Sequence, residues 1–355
     1  MTKTAIIFSP KYFRHKPGRG HPESPKRLSL IMNELMRSKL SESKNIQFVK
    51  PEKASIEDVK MVHSLKYIKF VEETCKFGGG PLDNAKDTIA SPESFEVALY
   101  AVGGAIKAVD LVMENKFENA FVLVRPPGHH AEKFRACGFC IFNNVAVAAK
   151  HLIRKHGLKR ILILDMDAHH GNGTQQAFYK TCKVLYISLH EDPKEFPGTG
   201  FLNEIGEGEG LGYNVNIPFP FGTDDQTYLR AFEEIVVPVA YQYKPQFILV
   251  SAGLDGHHTD PVANLSLTAS CYQTVYDTLL ELTSKMCEGK LVSVLEGGYS
   301  KFIGKLAAAI IAKKCSMQYS VNDKIEVKRR GRGIKQSEKI INEAKGMLKN
   351  FWNLA

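Results

Sequence analysis

Over the first 312 residues, short β-branched and aliphatic runs alternate with longer amphipathic segments. The runs TAIIFS, IQFVK, AFVLVR, ILILDMD, VLYISLH, YNVNIPF, QFILVSAG and LVSVLEGG read as strands. Several are apolar at nearly every position, which suits strands covered on both faces of a parallel sheet. Between them, SPKRLSLIMNELMRS (residues 24–38) predicts a helix, with Ser24 as N-cap and Pro25 at the first helical position. Leu28, Ile31, Met32 and Leu35 share one of its faces. Helical spacing recurs over residues 94–115, 143–156, 225–243 and 268–288. This alternation predicts an α/β fold, a mainly parallel sheet between two helical layers. No internal repeat or low-complexity linker interrupts it, so a single domain over residues 1–315 is expected.

Beyond residue 315 the pattern changes. KIEVKRRGRGIKQ is a basic, glycine-containing stretch. Ile340, Ile341, Ala344, Met347, Leu348 and Phe351 then recur at helical spacing behind Ser337, a candidate cap. Residues 316–355 are expected to form a solvated basic connection and a C-terminal amphipathic helix docked on the body. Of the formal net charge of +9, +7 falls in residues 313–355, so the basicity says little about what the body binds. The tail lacks the interleaved aromatics that stack bases, and a nucleic-acid partner for it is not favoured.

The chain has 355 residues, 44% hydrophobic and 24% charged, a globular composition. No apolar run approaches the roughly 18–20 residues of a membrane span. The apolar stretch in MTKTAIIFSP is short for a signal peptide, so the expected compartment is the cytoplasm, with no membrane partner. Of seven cysteines, only Cys137 and Cys140 lie close together, and reduced, buried thiols are expected. Nothing in the pattern sets the oligomeric state.

Chemistry gathers where the predicted strands end, as it does in open α/β sheets. VLVRPPGHHA sets two prolines and Gly128 ahead of His129 and His130. In ILILDMDAHHGNG, Asp165, Asp167 and His169 alternate, so an extended segment points them to one side while Met166, Ala168 and His170 point to the other. A hydrogen-bonded polar cluster is the plain reading, but neighbouring buried carboxylates repel unless a cation lies beside them. Carboxylate and imidazole donors both suit zinc. FILVSAGLDGHHTDP places Asp255 past another apolar strand, where it can complete a three-ligand set with an open position. VSVLEGGYS ends in two glycines and Tyr299, a core residue or a donor to a developing oxyanion.

RPPGHHA, GFCIFNNVAVAA, DMDAHHGNGTQ, FPGTG, SAGLDGHHTDP and LEGGY, in this order, resemble the successive motifs of the histone deacetylase superfamily. That superfamily includes zinc-dependent histone deacetylases, acetylpolyamine amidohydrolases and acetoin-utilisation proteins. The resemblance runs from HPESPKRL at residue 21 to about residue 300. It implies an arginase–deacetylase fold, a single three-layer α/β domain with a mainly parallel eight-stranded sheet. It implies one catalytic Zn2+ on Asp167, His169 and Asp255, although iron also suits such ligands. His130 would be general base and acid, His129 its electrostatic neighbour, and Tyr299 the carbonyl polariser. Asp165 and Asn172 would orient His129 and His130. Phe139 and Phe196 would wall a narrow acyl channel, with Gly138 near its mouth and Val262 at its rim. Potassium is implied near Asp165, Asp167, His169, Ser188 and the backbone of Leu189, with a second site near Phe178, Thr181, Val184 and Tyr213.

HPESPKRL and Asn172, where one branch of the superfamily has aspartate, are similar to class II-like and prokaryotic members. A neutral partner should raise the basicity of His130 less than a carboxylate would. The implied activity is removal of acetyl or other acyl groups from N-acylated amines by metal-activated water. Acetyl-lysine in proteins or peptides ranks slightly ahead of acetylpolyamines and other small N-acetyl amides. Val262 stands where polyamine-preferring members carry an acid, and Ala90 where some protein deacetylases carry a rim aspartate, although Asp87 is near. A two-manganese ureohydrolase would need carboxylates where Gly171 and Gly253 stand. A silent acyl-lysine or nucleic-acid binding module would have no reason to keep His130, Tyr299 and all three ligands.

Overall fold

The computed structural model describes residues 3–323 and 331–354, with side-chain detail from residue 336 in the second stretch. All eight apolar runs become strands of one sheet: β1 (Thr4–Ile7), β2 (Ile46–Val49), β5 (Asn119–Val122), β6 (Ile161–Asp165), β7 (Val184–Glu191), β8 (Asn214–Phe219), β9 (Phe247–Ala252) and β10 (Leu291–Leu295). β3 (Gly80–Pro81) and β4 (Ile89–Ala90) form a small separate antiparallel pair. The sheet order is β2-β1-β5-β10-β9-β6-β7-β8, and every pairing in it is parallel. Every residue of β5, β6, β7, β9 and β10 is buried, as expected for strands covered on both faces. Helices Ser94–Met113 and Asn144–His156 pack on each other, while Lys26–Arg37, Ile303–Lys314 and Ala269–Met286 form a second packed group.

The helices differ from expectation in detail. Lys26–Arg37 has Pro25 at the N-cap position and no side-chain cap. Ser24 contributes its backbone carbonyl instead, accepting from Arg27 N at 3.1 Å, so its hydroxyl is not the cap. The 225–243 helix is continuous but carries a π-helical segment, Phe232–Val236, in its middle. Pro238 follows that segment and has no N–H to continue the ordinary ladder. Leu65–Lys76 and Ile303–Lys314 were not anticipated. The latter is buried nearly all round and offers no amphipathic signal.

Part of the basic connection lies outside the described residues. The C-terminal helix, Gly331–Leu348, begins well before Ser337, which therefore lies inside it and does not cap it. Ile341, Ala344 and Leu348 are buried, and the helix packs against β8 and Asp225–Ala231. Trp352 follows it, edge-on to Tyr213, and donates from Nε1 to Gly212 O at 2.8 Å. Met347 and Phe351 remain exposed. All seven cysteines are free thiols.

The chain's single tryptophan thus reports tail docking. Ile341→Ala should lower unfolding free energy by about 2–5 kcal/mol. Urea midpoints from Trp352 fluorescence and from circular dichroism should fall together, because a helix in the common core melts with it. An early fluorescence transition alone would show that the tail detaches by itself.

Candidate active site

The four polar strand ends belong to four adjacent strands, β5, β10, β9 and β6, at the centre of the sheet. Parallel pairing puts all four carboxyl ends on one edge, so their loops meet. Beneath them lies a buried charge network. Arg125, directly before Pro126, donates from Nη2 to Glu23 Oε2 at 2.7 Å and from Nη1 to Tyr12 O at 2.9 Å. Burial would push the Glu23 carboxyl up, but Arg125 and His15 hold it well below the usual range. Arg27 bonds Glu23 at 3.4 Å, and its Nε donates to Gly298 O at 2.7 Å.

Asp167, His169 and Asp255 converge as the alternation at the end of β6 requires. His169 Nδ1 lies 3.1 Å from Asp255 Oδ2 and 3.4 Å from Asp167 Oδ1. Backbone donors aim both carboxylates: Gly297 N to Asp167 Oδ2 at 2.7 Å, His169 N to Asp167 Oδ1 at 3.0 Å, and Ala168 N to Asp255 Oδ1 at 2.9 Å. Burial, reinforced by Asp167, pushes Asp255 up to about 7. Burial opposes a charge on His169, yet its hydrogen bonds to Asp167 and Asp255 raise it well above its ordinary value. Burial would raise Asp167, but His129 and His169 hold it well below its ordinary value, and a divalent cation would balance both carboxylates. Two buried carboxylates and one imidazole edge, all within 4.8 Å, fit a zinc-type ion.

There is room for one such ion and little for the ligands of a second. A Cβ on Gly253 would collide with the Asp167 backbone and side chain. One on Gly171 would meet Asp165 Oδ2 and Tyr186 OH. The carboxylates a two-metal ureohydrolase needs cannot be fitted at these positions without displacing Asp165 and Asp167.

His129 Nδ1 donates to Asp165 Oδ2 at 3.1 Å, and Tyr186 OH donates to the same oxygen at 2.9 Å. Burial would lower His129, but Asp167 and Asp165 raise it to about 10. His130 lies against it, with ring centroids 3.9 Å apart, and falls well below its ordinary value through burial and the His129 charge. His130 Nδ1 lies 2.8 Å from Asn172 Oδ1, and Asn172 Nδ2 donates to Glu132 Oε1 at 2.7 Å. Because Glu132 takes the amide N–H, Asn172 turns its oxygen to His130, so Nδ1 carries the proton and Nε2 is free to accept one. His170, of opposite parity, is buried against Thr199 (3.0 Å) and Gln175 (3.1 Å).

The Tyr299 ring lies 4.8 Å from the Arg27 guanidinium and edge-on to Phe139 at 5.6 Å. Phe196 stands 4.9 Å from His130 and 5.7 Å from His169. Gly138 and Phe139 occupy a turn with positive φ, 53° and 65°. A Cβ on Gly138 would stand 2.5 Å from His130 Cδ2 and 2.8 Å from Phe196. Phe196 thus lies against His130 and His169, and Phe139 against Tyr299. Val262 is partly buried, its N–H donating to Asp260 Oδ1 at 3.0 Å. Ala90 is buried in β4.

Ser188 pairs with Asp165 across β6 and β7, and its hydroxyl bonds His190 at 2.8 Å, with Leu189 next in β7. Phe178 O accepts from Thr181 N at 3.2 Å in the turn leading to Val184 at the start of β7. Tyr213 O accepts from Tyr186 N at 2.9 Å.

Two other clusters of ligand-type residues have different explanations. Thr259 N donates to His257 Nδ1 at 3.3 Å, so His257 carries its proton on Nε2 and donates it to Asp323 at 2.7 Å. With His258 Nε2 also 2.7 Å from Asp323, this is a hydrogen-bonded clasp. Asp110 is shared among His151, His156 and Lys155 at 2.7–2.9 Å, and the lysine already supplies a cation.

Sequence reasoning missed Glu296. Its Oε2 accepts from Gly128 N at 2.6 Å and His129 N at 3.1 Å, fixing the turn that carries both histidines. Burial pushes its carboxyl up to about 7. The signal was present: an acid directly after an apolar strand needs a buried partner.

The histone deacetylase domain profile matches residues 21–314. A probable deacetylase of Archaeoglobus fulgidus is 46% identical over 297 residues, covering 84% of this chain and 81% of that one. A histone deacetylase-like amidohydrolase of Pseudomonas aeruginosa is 36% identical over 305 residues, covering 86% and 79%. The crystal structure of the HDA15 HD domain matches with a TM-score of 0.87 at 30% identity, covering 99% of this chain and 97% of that one. The chain belongs to the histone deacetylase family and is a deacetylase.

Proposed function

We propose that the chain hydrolyses N-acetylated amines, with acetyl-lysine in proteins or peptides ahead of acetylpolyamines and other small amides. The observation that supports this reading is the Asp167–His169–Asp255 set with His130 and Phe196 beside His169, and Tyr299 following Gly297, whose N–H bonds Asp167. Zinc, when bound to that set, would lower the pKa of water from about 15.7 to about 7 and polarise a carbonyl. His130 Nε2 takes a proton from the attacking water and returns it to the leaving amine, while Asn172 Oδ1 keeps the other ring nitrogen protonated. His129, between Asp165 and Asp167, supplies a fixed positive neighbour. The Tyr299 hydroxyl donates to the developing oxyanion, worth roughly 3–4 kcal/mol by analogy with other oxyanion holes.

Potassium near Asp165 and Ser188, and a second cation near Phe178, Thr181, Val184 and Tyr213, would brace β6 and β7 without touching substrate. The seven free thiols suit a reducing compartment such as the cytoplasm. No helix among the described residues is long and apolar enough to cross a membrane.

Tyr299→Phe should keep zinc content and KM near wild type and lose about a hundredfold or more in kcat. A fully active variant would remove the oxyanion role from Tyr299. Gly138→Ala forces a methyl group against His130 and Phe196, so kcat/KM should fall by more than about tenfold with zinc retained. Unchanged kinetics would move the channel elsewhere. One zinc-loaded preparation should turn over acetyl-lysine peptides faster than acetylpolyamines or longer acyl chains. Zinc bound without turnover of any of them would instead favour a binding module.

A further inference from the structure

We infer that Asp260 is a positioning residue that aims Tyr299, an inference that rests on Tyr299 being the oxyanion donor. Its carboxylate is buried, at 8% exposure, and uses both oxygens on backbone N–H groups. Oδ2 accepts from Tyr299 N at 2.6 Å and Ser300 N at 3.0 Å, and Oδ1 accepts from Val262 N at 3.0 Å. Three donors facing two oxygens require a group with no hydrogen of its own, and an ionised carboxylate supplies it.

Tyr299 needs such a hold because of what precedes it. Gly297 and Gly298 join β10 to Tyr299, and Gly298 has a φ of 117°, a conformation other residues rarely adopt. Such a junction does not by itself fix the direction of the tyrosine. It is gripped on both sides: Arg27 Nε holds Gly298 O at 2.7 Å, and Asp260 holds Tyr299 N. The grip is itself anchored. Asp260 N donates to His257 O at 2.8 Å, and His257 is clasped by Asp323. Val262 N donates to the same carboxylate, so the Val262 and Tyr299 backbones are fixed to one group.

Asp260→Asn keeps the shape but turns an N–H2 toward at least one backbone N–H. Asp260→Ser leaves a shorter acceptor. Both variants would be compared in wild-type and Tyr299→Phe backgrounds of the full zinc-loaded chain, on an acetyl-lysine peptide. The expected result is a kcat loss of about 10- to 100-fold, the scale of a misplaced catalytic group, with KM and zinc content nearly unchanged. In the Tyr299→Phe background the further loss should be under about threefold, because the group being aimed is gone. Wild-type kcat in either variant, or equal losses in both backgrounds, would overturn the inference. So would failure of both variants to give folded, zinc-loaded protein at low temperature, since Asp260 would then be holding the fold. A Tyr299→Phe enzyme of full activity defeats the reading of Tyr299 itself. An inactive Tyr299→Phe beside an active Asp260→Asn defeats only this inference.

Discussion

The site is organised around an excess of buried negative charge at one edge of the sheet. Asp165, Asp167, Asp255 and Glu296 are each almost fully buried, at or just past the ends of three neighbouring strands. Unpaired carboxylates cannot remain there, and each is answered differently. Asp165 receives Tyr186 and His129, and Glu296 receives two backbone N–H groups. Asp167 and Asp255 also receive backbone donors, but each keeps an oxygen turned toward His169 Nδ1. The residual charge is thereby confined to the point where a divalent cation would do its chemistry.

The same compensation separates the paired histidines. His129 faces carboxylates and retains a proton, whereas His130 faces an amide oxygen and lies beside a charged ring. Adjacent in sequence, with ring centroids 3.9 Å apart, they would titrate alike in water. The partner of Nδ1, Asp165 for one and Asn172 for the other, favours a charged ring at His129 and a neutral one at His130, as the proposed roles require. Asn172 is in turn held by Glu132, so replacing it with aspartate would also set two carboxylates against each other. Basicity at His130 therefore depends on a relay as well as on the charge at position 172.

Strand-end chemistry was legible because it obeys period two. Of Asp165, Asp167 and His169, which share parity, Asp167 and His169 converge with Asp255 while Asp165 pairs with His129 and Tyr186, and His170, of opposite parity, does not join them. The central strands were legible because burial on both faces leaves runs that are mostly apolar. Caps were read less well. Ser24 and Ser337 have a capping residue type, but backbone turns and a longer helix decided those ends. Glu296, Asp260 and the Glu23–Arg125–Arg27 network were missed because their partners are backbone groups or residues distant in sequence. Apart from the i,i+4 pair Glu23–Arg27, no local spacing encodes these contacts.

Glycine decides much of what the site can be, chiefly by leaving space. Side chains at Gly171 and Gly253 would intrude on Asp165 and Asp167, and one at Gly297 would meet both Asp167 and Asp255. These close approaches let backbone N–H groups reach the carboxylates directly, as Gly297 N does. They also leave no space for further ligands at Gly171 and Gly253. On the function proposed above, a single cation would leave the second proton carrier and the oxyanion donor to the protein, and His130 and Tyr299, each held by a buried partner, would supply them.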